Sequence, residues 1–250
     1  MTNAERFHFN DFTRENYSRL LSLAKAQYRF RLFHDWQPSE RFVLWRHDVD
    51  FSPQAAVRLA EREAAAGVVA TYFVWLHSDF YNALERDVTD CIRAIASLGH
   101  DVGLHFDAEY AGVTTAAGLA AALPGEQRIL EGVAQRDVRV FSFHNPTAAT
   151  RELGAREYAG LLNAAADVYY SDIAFCSDSN GYWRDRRLED VLVAATDERL
   201  QVLTHPEMWQ DAPMSPRQRV ERCIDGRAQR TRERYERLLR VNGRNDIGVD

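Results

Sequence analysis

Cysteine is scarce in this chain. Cys91, Cys176 and Cys223 are odd in number, far apart, and include no Cys-x-x-Cys pair, which argues against a disulfide scaffold and against a thiolate zinc cluster. Long apolar runs are missing too. No stretch approaches the ~20 residues of a membrane-spanning helix, and the opening Met1–Asn10 lacks the apolar core of a secretory signal. The expectation is a cytoplasmic protein with no membrane insertion. There is no low-complexity linker, no internal repeat and no break in composition, so residues 1–250 are expected to form a single domain. An excess of positive charge is also absent. The net charge of −6 speaks against nucleic acid as the main partner. One region disagrees locally. Arginine is dense from Arg217 to Arg244, where Val220, Ile224, Tyr235, Leu238 and Leu239 can form an apolar stripe. Segment 215–242 is therefore expected as a closing helix packed on the body, broken near Gly226, with residues 242–250 as a tail.

What is present is a rhythm of strand, polar residue, helix. A first helix is expected over 13–35. Phe42–Arg46 reads as a strand, and Pro53–Ala66 as a helix with Ser52 as N-cap and Gly67 as its stop. Val68–Trp75 is the next strand. Leu84–Leu98 carries Val88, Ile92, Ile95 and Leu98 at helical spacing, and Asp101–Leu104 is a short strand. A helix follows between Gly125 and Gln135, with 114–123 less decided. Val138–Phe143 reads as a strand, Glu152–Ala165 as a helix, Val168–Tyr170 and Ile173–Phe175 as extended pieces, and Gln201–Thr204 as a final strand. Repeated strand–helix units imply an α/β fold with a parallel sheet or barrel.

Chemistry concentrates at the strand ends. Asp48 and Asp50, in Trp45-Arg46-His47-Asp48-Val49-Asp50, lie two apart and emerge on one side of an extended chain. Two acids side by side repel unless a cation or a shared proton stands between them, so the pair indicates a metal site or an acid/base pair; helix capping is the simpler alternative. His47, His77, His105, His144 and His205 all fall at or just past predicted strand ends. Imidazole with carboxylate suits Zn²⁺, and also Fe²⁺, Co²⁺, Ni²⁺ or Mn²⁺. In Gly99-His100-Asp101-Val102-Gly103-Leu104-His105-Phe106-Asp107-Ala108-Glu109, His105 pairs with Asp107 if the strand continues, or with Glu109 if the chain has turned helical.

These motifs, in this order and with the late Leu203-Thr204-His205-Pro206, resemble the polysaccharide deacetylase superfamily, the NodB-like carbohydrate esterases. The resemblance spans roughly 42–209. It implies a distorted (β/α) barrel of the NodB-homology type, seven-stranded, and a metal-dependent hydrolase removing an acyl group, typically N-acetyl, from a sugar. Carried over, Asp48 is the catalytic base, Asp50 a metal ligand despite the inserted Val49, His105 a second ligand and His205 the general acid. Glu109 stands where the family has its second metal histidine and is expected as third ligand, with Asp107 and His144 as alternatives. The family's arginine–proline motif is replaced by Phe143-His144-Asn145-Pro146. His144 and Asn145 are expected at the substrate, with Trp183 and Arg184 of an aromatic and acidic wall; Tyr182, Tyr110 and Trp209 are further candidates to stack on a sugar. The implied cofactor is one divalent ion, zinc foremost, and the implied partner an acylated sugar or small glycan precursor, with a homo-oligomer left open. Two rival readings stand beside it: hydrolysis of another C–N bond, as in a cyclic amide or ureide, and a catalytically inactive binding or scaffold protein.

Overall fold

The computed structural model describes residues 1–248; of the expected tail, 249 and 250 lie outside the described residues. Strands form at β1 (Arg29–Arg31), β2 (Phe42–Val49), β3 (Thr71–Val74), β4 (Asp101–Phe106), β5 (Val140–Phe143), β6 (Glu157–Tyr158), β7 (Leu161–Asn163), β8 (Ala174–Ser177) and β9 (Arg199–Thr204). They make one sheet in the order β6-β7-β5-β4-β3-β2-β9-β8, with β1 paired to β2 off that path. β1 takes the edge of β2 at Phe42–Leu44 and β3 continues it from Arg46. Every pairing is parallel except β6 with β7. β6 and β8 end the path unpaired with each other, so the sheet is curled but open. Eight strands lie on the path and nine in the sheet, in place of the expected seven.

The helices are α1 (Asn3–Arg6), α2 (Arg14–Gln27), α3 (Pro53–Ala66), α4 (Arg86–Ser97), α5 (Ala116–Ala134), α6 (Ala148–Arg151), α7 (Val168–Ser171), α8 (Leu188–Ala194) and α9 (Pro216–Val241). α3 starts and stops on its own signals. Ser52 Oγ accepts from Ala55 N, Pro53 opens the first turn, and Gly67 closes it in the left-handed region. Its buried Ala56, Leu59, Ala60 and Glu63 fall on one face. α9 runs unbroken through Gly226, because that glycine keeps helical geometry in mid-helix. Among the described residues no helix is long and apolar enough to cross a membrane.

The expected helix over Glu152–Ala165 is not there. Ala159 and Gly160 both take positive φ, 49° and 84°, and turn the chain between β6 and β7 as a two-residue hairpin. The Asn163 side chain donates to the carbonyls of Leu153 and Ala155, tying down the approach to that hairpin. Val168–Tyr170, expected as extended, instead falls in the short helix α7.

Alternation along β2 divides the molecule. Val43, Trp45 and Val49 join the main core between the sheet and α2, α3, α4 and α5. Phe42 and Leu44 point to the other face, into a second cluster with Phe33, Phe73, Val140, Tyr169 and Ile173. Arg46 comes next on that face, its guanidinium 4.5 Å from the centre of the Phe73 ring. Phe73 lies so close over β4 that a Cβ on Gly103 would sit 2.6 Å from it. Glycine at 103 is what lets the ring lie there. The apolar plug thus supports a polar floor one residue pair higher.

His47 faces the helices, and a wholly buried network gathers around it. Glu63 accepts from Tyr72 Oη at 2.6 Å and from the Tyr17 hydroxyl, and pairs with His47 Nε2 at 2.7 Å. His47 Nδ1 lies 2.7 Å from Thr204 Oγ1, linking β2 to β9. Burial would raise the Glu63 carboxyl, but His47 and its other partners hold it below the usual range. Removing the shared acceptor of several buried donors leaves each unsatisfied, at about 1–3 kcal/mol. Glu63→Ala is therefore expected to lose at least that much stability in a urea titration. A loss near zero would show that the network contributes little.

Candidate active site

In a mainly parallel sheet the strand C-terminal ends share one side, and the crevice outside them is where ligands bind. β2, β4, β5, β8 and β9 deliver Asp50, His105, His144, Asp178 and His205 to that side. A cleft of about 540 Å³ opens there, and Arg46, Asp48, Asp50, His105, His144 and His205 are among the residues that line it.

Asp50, His105 and His144 each offer one donor atom, all within 4.8 Å of one another. His105 Nε2 is 3.3 Å from Asp50 Oδ1, and His144 Nδ1 is 3.7 Å from the same oxygen. His105 Nδ1 is 2.7 Å from Ser142 Oγ; donating there leaves Nε2 free to ligate. Asp50 Oδ1 and His144 Nδ1 are both buried without a hydrogen-bond partner. Buried polar atoms are nearly always partnered, so two such atoms 3.7 Å apart, beside His105, fit a cation site. The donor set, two nitrogens and a carboxylate oxygen, leaves a coordination position open, as catalytic divalent sites do. Burial alone would raise Asp50; the neighbouring imidazoles of His105, His144 and His205 bring it well below the carboxylate range.

Two further groups flank this trio. Arg46 grips Asp48 with Nη2 at 2.6 and 2.8 Å from its two oxygens and Nε at 3.2 Å. Burial pushes the Asp48 carboxyl up, yet Arg46 together with His105 and His205 outweighs it and the group titrates below the usual range. Its Oδ2 is 3.7 Å from His105 Nε2, so an ionised oxygen sits beside the trio. On the other side, His205 Nδ1 lies 2.6 Å from Asp178 Oδ1, and its backbone N–H donates to Oδ2 at 3.1 Å. His205 Nε2 faces Asp50 at 3.8 Å. Burial would lower this imidazole, but Asp178 and Asp50 raise it to about 10, which keeps it a proton donor at neutral pH.

Several expected residues lie elsewhere. Glu109, expected as the third ligand, is exposed in the turn after β4 and outside the donor group; His144, from the next strand, stands in its place. Asp107 is buried but engaged, accepting from Trp75 Nε1 at 3.1 Å and from Tyr110 N at 2.9 Å. Trp183, expected at the substrate, does not line the cleft: it stacks on Phe12 in the core and donates to Asp11 at 3.0 Å. Trp209 is buried beside it, Tyr182 packs on Phe7, and Tyr110 stacks on His77. Asn145 and Arg184 do line the cleft; the aromatic rings there are Phe143, Tyr170 and Phe175. Of the five strand-end histidines three converge. His47 is turned away by strand alternation, and His77 is held by Glu126 at 3.2 Å.

No family model matches the chain, and no curated protein matches it. Solved structures do. The backbone is similar to that of a peptidoglycan deacetylase from Bacillus subtilis, with 13% identity over 83% of this chain and 99% of that one and a TM-score of 0.45. A family 4 carbohydrate esterase from Bacillus anthracis gives 14%, 84%, 85% and 0.42 for the same measures. A pseudoenzyme of the same esterase family, also from Bacillus anthracis, gives 15%, 78%, 63% and 0.42, so this chain spans under two thirds of that protein's length. Likenesses this distant leave the chemistry to the side chains.

Sequence reasoning missed two supporting residues here. Arg46 stood inside the quoted motif without a role; its spacing of two from Asp48 was the available signal. Asp178 carries no role in the sequence reading, because nothing local ties it to His205, 27 residues away. That pairing is testable. Asp178→Asn leaves burial to dominate, so the His205 pKa should fall from about 10, and the alkaline limb of kcat/KM against pH should move to lower pH. An unmoved limb would mean that His205 is not the titrating acid.

Proposed function

We propose that this chain is a metal-dependent amide hydrolase that removes an acyl group, N-acetyl foremost, from an amino sugar or small glycan precursor, with zinc as its metal. The observation that carries this reading is the trio Asp50, His105 and His144 flanked by Asp48, bonded by Arg46, and by His205, bonded to Asp178. A divalent cation held by the trio would supply Lewis acidity for attack of water on an acyl carbon. Asp48, kept ionised by Arg46, would take the proton from that water. His205, oriented through Nδ1 by Asp178, would give a proton to the departing amine from Nε2. The two groups have opposite protonation at neutral pH, which is what a base and an acid working in one turnover need.

The substrate class rests on the cleft and on the motif resemblance. Its volume of about 540 Å³ lies within the range of small-molecule sites. Tyr170 and Phe175 offer ring faces, while Asn145, Arg151 and Arg184 offer donors for hydroxyls. The test begins with protein purified without chelator. Stoichiometric zinc, and release of acetate from N-acetylated amino sugars that stops on chelation and returns with zinc, is the expected result. Turnover of cyclic amides alone would move the assignment to another C–N bond. Bound metal with no turnover across both sets would leave a binding protein.

A further inference from the structure

The three imidazoles at the cleft are fixed by unequal means. His105 bonds Ser142 and His205 bonds Asp178, both buried partners. His144 has a side-chain hydrogen bond only from the exposed Asn145 amide, 2.9 Å from Nε2. Its backbone is held, since its N–H donates to Phe106 O at 2.8 Å, but χ2 of a histidine is a soft torsion with broad wells. A quarter-turn about it would swing Nδ1 out of line with Asp50.

A flat surface prevents that. The Trp75 indole lies against the His144 ring with centroids 3.8 Å apart and planes 16° apart. Trp75 is itself pinned at two points, ring and backbone. Nε1 donates to Asp107 Oδ2 at 3.1 Å, and the Trp75 backbone N–H donates to Tyr81 Oη at 3.0 Å, whose hydroxyl donates to Val49 O at 2.8 Å. Val49 immediately precedes Asp50, so one chain of contacts runs from one side of the trio to the other. Asp107 has both oxygens in use and none aimed at the cleft.

We infer that Trp75 and Asp107 are positioning residues for His144: the indole sets the plane of the imidazole, and the Asp107 carboxylate sets the indole. This inference rests on the metal reading of the trio. It assigns Asp107 an indirect part in the centre, two contacts away from the ligand His144. Asn145 completes the arrangement, because a flip of its amide presents Oδ1 to Nε2–H and leaves Nδ1 as the free lone pair.

The experiment titrates zinc into chelator-stripped protein by competition with a chromophoric chelator. Supporting residues of this kind are worth about 10–100-fold in metal affinity. Trp75→Leu and Asp107→Ala are expected to weaken zinc by that factor. Trp75→Phe, which keeps a ring to stack on, and Asp107→Asn, which keeps an oxygen for the indole N–H, should recover most of it. In a His144→Ala background Trp75→Leu should add nothing. A second reading needs no metal: the His144 ring protons should show an upfield ring-current shift in the stripped wild type that Trp75→Leu abolishes and Asp107→Ala reduces. Should Trp75→Leu not fold, the Phe and Asn variants and the ring-current shift still decide. Unchanged zinc affinity in Trp75→Leu, or an equal effect in the His144→Ala background, would overturn the inference. Wild-type protein that binds no zinc would instead overturn the metal reading, and the ring-current shift would remain to judge the stack.

Discussion

Asp50→Ala is expected to purify folded, empty of metal and without turnover above background. Its Oδ1 is the atom that both imidazoles approach, at 3.3 and 3.7 Å, so its loss leaves two histidines with no anionic donor between them. The Lewis acidity of a bound ion is worth several kcal/mol at the transition state. At about 1.4 kcal/mol per decade, kcat/KM should fall roughly 10³-fold or more. Metal analysis and a thermal melt on the same preparation separate this from unfolding. A variant that keeps its full complement of metal would remove Asp50 from the centre.

Asp48→Asn should do the reverse: keep the metal and lose the chemistry. The amide has the shape of the carboxylate and leaves Arg46 an oxygen to bond, whereas alanine would strand a buried guanidinium. An asparagine cannot take the proton from water, and a positioned general base is worth about 10²- to 10⁴-fold. The fall should appear in kcat with metal stoichiometry unchanged. If Asp48→Asn lost the ion while Asp50→Ala retained it, the two acids would exchange roles. The pair of variants therefore assigns both residues at once, which neither does alone.

Much of this molecule was legible because its signals are local. Ser52, Pro53 and Gly67 bracket α3 in the sequence itself, and the two-residue spacing of Asp48 and Asp50 states that they share a face. The hairpin at Ala159–Gly160 was not legible. Alanine rarely takes positive φ, and the apolar residues around it satisfy a helical spacing equally well. The aromatic wall failed for a different reason. Trp183 has the composition of a sugar platform, but Asp11, 172 residues away, supplies a buried partner for its indole N–H. Burial of that kind is a property of the packed molecule alone.

Local pattern marks where chemistry can occur: at the ends of strands, where an apolar run meets aspartate or histidine and periodicity dictates which side chains share a side. Which of those ends meet is set by how the strands pack side by side. Parallel pairing in the order β5-β4-β3-β2-β9-β8 sets His144 beside His105 and Asp50, and it sets Asp178 beside His205. Glu109, only four residues from His105, is carried outward by the turn that follows β4. The partners in this cleft are separated by up to 155 residues along the chain and by a few ångströms across the sheet. Strand order, which long-range hydrogen bonding establishes, is what converts one distance into the other.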